Sequence, residues 1–257
     1  MRPAPQFRAA INLSRFQVGF RRAAACVGLA GLVPVCSAQL LNGSFEASSS
    51  SLTSWTVTGV TSVSGTTLTN PVNGTRQAFV VAPSGGSPGV PASQLSTFFS
   101  GVSLPPTIRG AATYGSGIKQ TFTLTQPATL TFSYKYVTAE SAGSGYDSSF
   151  FFRDGTVTGL ASSTSAGLSS AQGVSGYTNG LSYVTTTVSL GIGAHTIGFG
   201  VYNTADTVVA SAIFVDNVFT TSAIPEPATS TLLVALAAAG LVGWRARRRR
   251  GTGAPAG

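Results

Sequence analysis

Between Gln39 and Ser222, apolar and aromatic side chains recur in short runs with period two, and helical spacing is not sustained over any useful length. The runs are Leu40–Glu46, Ser54–Val60, Gln77–Val81, Gly117–Thr125, Thr129–Val137, Ser148–Arg153, Leu181–Leu190, His195–Tyr202 and Ala212–Thr220. Gly, Ser, Asn and Pro separate them, and the runs themselves are rich in Thr and aromatic residues, which suit a pleated surface. About nine strands with no helix to cover a sheet face can bury their apolar sides only by packing sheet on sheet. The expected fold is therefore all-β, a two-sheet sandwich. Two adjacent pairs read as hairpins: Ile118–Leu124 with Thr129–Tyr134 across a turn containing Pro127, and Val184–Leu190 with Thr196–Phe199 across Gly191–Ala194. Two long Gly/Ser-rich stretches, Ser84–Gly117 and Gly155–Gly180, lie between strands. They are either binding loops at the rim of the sandwich or low-complexity insertions without a role.

Both ends read differently from this body. The chain carries 15 Lys and Arg residues and a net charge of +8. Arg2, Arg8, Arg15, Arg21 and Arg22 precede the apolar run Ala23–Val33. Pro34 ends that run, and Cys36-Ser37-Ala38 supplies the small residues that a signal peptidase reads. Residues 1–38 are thus expected to be a signal peptide with its own helix, cleaved after Ala38. Val35, where a lipoprotein signal needs a small residue before Cys36, argues against lipidation. At the other end, Pro225-Glu226-Pro227 precedes an apolar run closed by Arg245, Arg247, Arg248, Arg249 and Arg250. As a helix the run from Ala228 to Trp244 is about 25 Å long, the short limit for a membrane span. No polar stripe interrupts Leu232–Val242, so a transmembrane helix over 228–244 is expected rather than an amphipathic core helix. The arginines hold its end in the cytoplasm, and 251–257 reads as a disordered tail. The sandwich domain is then 39–222. It keeps five basic residues (Arg76, Arg109, Lys119, Lys135, Arg153) against six acidic ones (Glu46, Glu140, Asp147, Asp154, Asp206, Asp216). The high pI therefore belongs to the targeting segments and gives no ground for nucleic-acid binding.

The order at the C-terminal end, Pro-Glu-Pro, then a short Ala/Leu/Gly helix, then an arginine cluster, resembles the PEP-CTERM sorting signal over residues 223–250. The resemblance implies an exosortase partner in a Gram-negative cell and a helix that anchors the chain to the membrane only transiently. It further implies processing near Pro225-Glu226-Pro227 and delivery to the cell surface or the medium. Members of that family are linked to exopolysaccharide and biofilm matrix. A plain C-terminal membrane tail would share the topology and lack only the processing.

The body also carries Leu41-Asn42-Gly43-Ser44-Phe45-Glu46 with Trp55, then Gln120-Thr121-Phe122, Gly193-Ala194-His195-Thr196-Ile197 and Phe214-Val215-Asp216-Asn217-Val218. Together these resemble the galactose-binding-like jelly roll shared by many carbohydrate-binding modules. That resemblance implies a structural Ca²⁺ shared by Glu46 and Asp216, stapling the first strand to the last. The alternative is that Glu46 is a surface acid and Asp216 hydrogen-bonds the backbone of a neighbouring loop.

Catalytic chemistry finds little support. Both cysteines, Cys26 and Cys36, lie in the N-terminal segment, so the body has no thiolate for metal or nucleophilic work. His195 is the single histidine, and no motif supplies it with a nucleophile and an orienting carboxylate. No carboxylate pair sits in a motif expected of a glycoside hydrolase. Asp154-Gly155 reads as a turn. Tyr114, Tyr146 and Tyr177, in or beside the Gly/Ser loops, are the candidate ligand contacts, because their rings offer apolar faces and polar tips. Trp55 and the other tyrosines are assigned to packing. The expected role is non-catalytic: binding of glycan or exopolysaccharide, or else a structural, adhesive matrix component without a small ligand.

Overall fold

The computed structural model describes residues 39–84, 89–104, 112–141, 147–204 and 208–222. Within them the strands assemble into two six-stranded sheets, paired antiparallel throughout. The first contains β1 (Thr56–Thr58), β4 (Val90–Pro91), β5 (Ala112–Leu124), β7 (Asp147–Arg153), β8 (Thr156–Ser162) and β11 (Gly193–Thr204). Its order is β1-β5-β11-β7-β8, with β4 also on β5. The second contains β2 (Val60–Ser64), β3 (Gln77–Ala82), β6 (Ala128–Thr138), β9 (Asn179–Gly180), β10 (Val184–Leu190) and β12 (Ser211–Ser222). Its order is β10-β6-β12-β3-β2, with β9 also on β6. The all-β sandwich is what the sequence pattern predicts, with more and shorter edge strands than the nine runs suggest.

Alternation along each strand builds the core. β6 sends Leu130, Phe132, Tyr134 and Tyr136 inward, β11 sends Ile197, Phe199 and Val201, and β12 sends Ile213 and Val215. At its centre Phe132 stacks on Phe151 at 4.7 Å and meets Phe199 edge-on at 5.0 Å. Each such side chain contributes roughly 1.5–3 kcal/mol when taken out of water.

The two expected hairpins do not form. β5 pairs with β11 and β1, whereas β6 pairs with β12 and β10. The Pro127 turn is therefore a corner that carries the chain from one sheet to the other, and the 191–192 link is a second such corner. In both places the flanking apolar residues face one another across the core: Phe122 and Leu124 on β5, and Ala128 and Leu130 on β6, all belong to the central cluster. A tight hairpin joins β7 to β8. Its turn is Asp154-Gly155, with φ of 48° and 85°, the left-handed pair that matches strand twist.

Leu40–Glu46 is not a strand either. Asn42 and Phe45 hold φ of 49° and 58°, which an extended chain cannot contain. The segment coils so that Phe45 N–H reaches Asn42 O at 3.2 Å, and Phe45 buries against Trp55 with ring centroids 5.4 Å apart. Trp55 is buried, as expected.

A short helix, α1 (Ala92–Phe98), escapes the periodicity test because it spans barely two turns. It lies on the outer face of the first sheet, where Leu95 and the following Phe99 pack on Phe150, Phe152 and Tyr202. The close approach needs bare backbone beneath it: a Cβ at Gly117 or Gly198 would stand 2.6 Å from the Phe99 ring. Lys119 Nζ donates to Phe98 O and sits 4.5 Å from the Phe98 ring centroid, placing a cation at the C-terminal end of the helix. The expected signal helix and transmembrane helix lie outside the described residues. Among the described residues no helix is long and apolar enough to cross a membrane.

Candidate functional site

β8 and β10 each form an edge, one of the first sheet and one of the second. A solvent-open cleft of about 450 Å³ lies between them, lined by Tyr134, Leu160, Leu181 and Val184, with Ser165 and Ser182 at its polar side. The register of β6 turns Tyr134 inward, and its hydroxyl donates to Leu160 O at 3.2 Å, tying the second sheet to the first. Burial raises the Tyr134 pKa, which keeps the phenol protonated and a donor. Leu181 is held by its own N–H on Tyr136 O at 2.9 Å, and Ser165 Oγ accepts Ser162 N–H at 2.9 Å. The lining is neutral: one aromatic ring and aliphatic side chains beside hydroxyls. The volume falls within the usual range of small-ligand pockets.

A second cleft of about 300 Å³ is lined by Arg153, Asp154, Thr156, Ser189, Gly191 and His195. Here His195 Nδ1 lies 2.7 Å from Asp154 Oδ2 and Nε2 lies 2.9 Å from Gly191 O. Carboxylate and carbonyl are both acceptors, so both contacts are hydrogen bonds at once only when the ring is protonated. Burial pulls the His195 pKa down, but the hydrogen bonds to Asp154 and Gly191 and the Asp154 charge outweigh it, leaving the pKa above its ordinary value. The orienting carboxylate that no motif announced is thus Asp154. Nε2, which in a nucleophilic triad faces a hydroxyl, faces a backbone carbonyl.

The tyrosines singled out from the sequence do not gather. Tyr114 is 41% exposed on β5, where it pairs with Pro91. Tyr177 packs edge-on against Phe79 of β3 at 6.0 Å, and burial pushes its hydroxyl up to about 12. Tyr114 thus belongs to the first sheet while Tyr177, in the loop before β9, packs against the second, and neither lines the edge cleft. Tyr146 lies outside the described residues. The cleft tyrosine is Tyr134, which its sequence context assigns to packing. No local signal could have singled it out, because the cleft is assembled from β6, β8, β10 and the loops before them.

Glu46 and Asp216 do come near one another, through residues 72–76. Asp216 Oδ2 accepts Asn73 N–H at 2.7 Å and Oδ1 accepts Asn217 N–H at 2.6 Å. Glu46 Oε1 accepts the N–H groups of Thr75 and Arg76 at 2.7 and 2.6 Å, and Oε2 accepts the Thr75 hydroxyl at 3.0 Å. Burial raises Asp216 to about 6, with the Glu46 charge adding to it against three backbone hydrogen bonds. All four carboxylate oxygens therefore already accept from a donor. As placed, the two carboxylates line an N–H-rich loop, the arrangement of the second reading of Asp216, and a calcium ion shared by them would have to use the lone pairs these hydrogen bonds leave. Val218 N–H on Gly43 O at 2.9 Å joins the first segment to the last strand. Among the described residues no group of three or more His, Cys, Asp and Glu comes together.

Beyond the last strand, the chain matches the family described as the PEP-CTERM protein-sorting motif. Residues 223–250 carry that sorting motif. The match takes in Pro225-Glu226-Pro227 and the arginines from Arg245 to Arg250, all outside the described residues. A search of curated proteins gives no match to the chain. Among solved structures the chain is similar to the carbohydrate-binding module TmCBM61 in complex with β-1,4-galactotriose, at 9% identity and a TM-score of 0.39 over 72% of this chain and 98% of that one. It is also similar to the K1 cleaved adhesin domain of Lys-gingipain from Porphyromonas gingivalis W83, at 15% identity and a TM-score of 0.37 over 66% and 91%. A third is the enzymatically active domain of tailspike protein 4 of bacteriophage CBA120, at 13% identity and a TM-score of 0.33 over 72% of this chain and 21% of that one.

Proposed function

We propose that this chain is an exported PEP-CTERM protein whose sandwich binds glycan, without catalysis, through the cleft between its two open edges. In this reading residues 1–38 are removed by signal peptidase and an exosortase processes the tail near Pro225-Glu226-Pro227. The segment 228–244 anchors the chain to the membrane until then, and the sandwich is delivered to the cell surface or the extracellular matrix. The observation that carries the reading is the cleft itself, with Tyr134 locked across the two sheets and uncharged apolar and hydroxyl groups around it. A non-catalytic role accords with His195, whose two nitrogens are both committed to acceptors.

Affinity electrophoresis of the exported protein through gels containing host exopolysaccharide tests it. Wild type should be retarded, and Val184→Glu, which puts a charge at the cleft mouth, should lose at least about tenfold in affinity with its melting unchanged. Equal retardation of both proteins would remove the cleft from the account.

One observation favours the second reading, a structural or adhesive matrix component without a small ligand. Hydroxyls on the strands pair with one another, Ser133 with Thr185 at 2.9 Å and Thr121 with Thr196 at 2.8 Å, leaving polar faces satisfied within the sheets. In that case neither protein would be retarded.

A further inference from the structure

The two clefts lie along one seam. β8 is an edge of the first sheet and β10 an edge of the second. The neutral cleft takes Leu160 from β8 and Val184 from β10, and the charged cleft takes Thr156 from β8 and Ser189 from β10. At the rise of a strand, the steps from Thr156 to Leu160 and from Val184 to Ser189 put the clefts roughly 13–17 Å apart. Each cleft is tied across the seam by a hydrogen bond, in opposite senses. Tyr134 of the second sheet donates to Leu160 O of the first at 3.2 Å, and Arg153 Nη1 of the first donates to Ser189 O of the second at 3.3 Å. Residues 157–159 and 185–188, which lie between the clefts on the two strands, carry no charge.

The charged end holds a cation without an anion of its own. Asp154, next to Arg153 in the chain, is committed elsewhere: Oδ2 lies 2.7 Å from His195 Nδ1, and Oδ1 accepts Thr196 N–H at 2.8 Å. Among the described residues the Arg153 guanidinium pairs with no carboxylate, in contrast to Arg76, which lies 3.6 Å from Glu46 Oε2. The bond to Ser189 O uses one N–H and holds the group in the cleft wall, while the planar fork keeps donors for a further acceptor. Thr156 and Ser189, both exposed, place hydroxyls in the same cleft. When His195 is protonated its charge offsets that of Asp154, and Arg153 remains as the net charge of the cleft. The sandwich as a whole has more acids than bases, so its bulk charge does not draw an anion there.

We infer, resting on the glycan reading, that the bound glycan is acidic: a sugar carboxylate docks on the Arg153 guanidinium while neutral rings of the same chain lie along the seam toward Tyr134. Guanidinium and carboxylate match in a two-pronged, charge-assisted pair, in which each hydrogen bond is about twice as strong as a neutral one. A wholly neutral glycan would take the hydroxyls of Thr156 and Ser189 but leave the Arg153 charge facing water. The distance between the clefts calls for a chain of several sugars, since one ring cannot fill both.

Affinity electrophoresis of the exported protein at about 0.15 M salt, which screens long-range attraction, tests it. The gels contain polygalacturonate, alginate or hyaluronate, each native and with its carboxylates reduced to alcohols. Wild type should be retarded by at least one native polymer and bind its reduced form about tenfold or more weakly. Arg153→Gln should bind that native polymer no better than wild type binds the reduced one, keep the wild-type affinity for the reduced form, and melt as wild type does. Val184→Glu, at the neutral cleft, should lose affinity for both forms. Arginines of the tail are common to all three proteins and cancel in the comparison. A wild type that binds native and reduced polymers equally, or an Arg153→Gln that keeps the full preference for the native one, would overturn the inference and leave the glycan reading standing. So would a wild type held by host exopolysaccharide and by none of the native polyuronates. Retardation by neither host exopolysaccharide nor any of these polymers would overturn both.

Discussion

A Cβ placed on Gly43 would stand 1.7 Å from the carbonyl oxygen of Val218 and 2.7 Å from Leu40 Cδ2. The obstacle is backbone, which cannot rotate aside, so Gly43→Ala must push the first segment off the last strand and break the Val218-to-Gly43 hydrogen bond. The expected cost is at least about 2–3 kcal/mol in urea unfolding. Gly159→Ala, with nothing within 4 Å of its would-be Cβ, is the control expected to change little. Among the described residues, His195, Asp216 and Glu46 have shifts that bear on the acid-to-neutral range. His195 has a raised pKa, so its contribution is complete below about 6.5 and is lost as pH climbs through the folded value. Asp216 rises from 3.8 to about 6, so the fold holds its proton more tightly than the open chain and loses stability as pH rises across that window. Glu46 goes the other way. Burial raises it, but hydrogen bonds from Thr75 and Arg76 and the Arg76 charge bring it below 4.5, and its contribution disappears as pH falls through the folded value. The melting temperature should therefore be higher at pH 5 than at pH 8, with a smaller difference in His195→Gln. A melting temperature that rises from pH 5 to pH 8 would refute this assignment.

At the scale of elements, α1 depends on its docking more than on itself. A seven-residue helix is too short to persist alone, and its N-cap position is Pro91, with no side-chain cap. Phe99, fully buried against Phe150 and Phe152, is what fixes it. Phe99→Ala should cost about 3–5 kcal/mol, and hydrogen exchange should show residues 92–98 opening first. Which elements the sequence discloses follows from the range of the signal. Thr129–Val137 and Ala212–Thr220 read as strands because their alternation is local, and so does the Asp154-Gly155 turn. Strand partners are not local: nothing in residues 125–127 says that β5 will pair with β11 seventy residues later and not with β6 beside it. Leu40–Glu46 alternates like a strand, yet Asn42 and Phe45 turn it into a coil that still buries Phe45. β8 goes unread because Gly159 interrupts it and its exposed Thr residues look like loop. The edge cleft joins Tyr134, Leu160 and Val184 from three strands, and the charged cleft joins Arg153 of β7 to Ser189 of β10, so neither can be seen before the sheets are assembled.

For the molecule as a whole, charge divides by segment. The sandwich is nearly neutral and carries its candidate sites along the seam between β8 and β10, while ten of the 15 basic residues sit in the two flanking segments. The PEP-CTERM motif over 223–250 marks the C-terminal segment as a sorting signal, and in our account the sandwich is its cargo. The measurement that tests this most directly is the intact mass and location of the protein from isogenic hosts with and without exosortase. The account predicts a mature chain that begins near Gln39 and, only where the enzyme is present, has lost everything beyond Pro225-Glu226-Pro227 and left the inner membrane. A tail that stays intact in both hosts, with the protein held at the inner membrane, would contradict it.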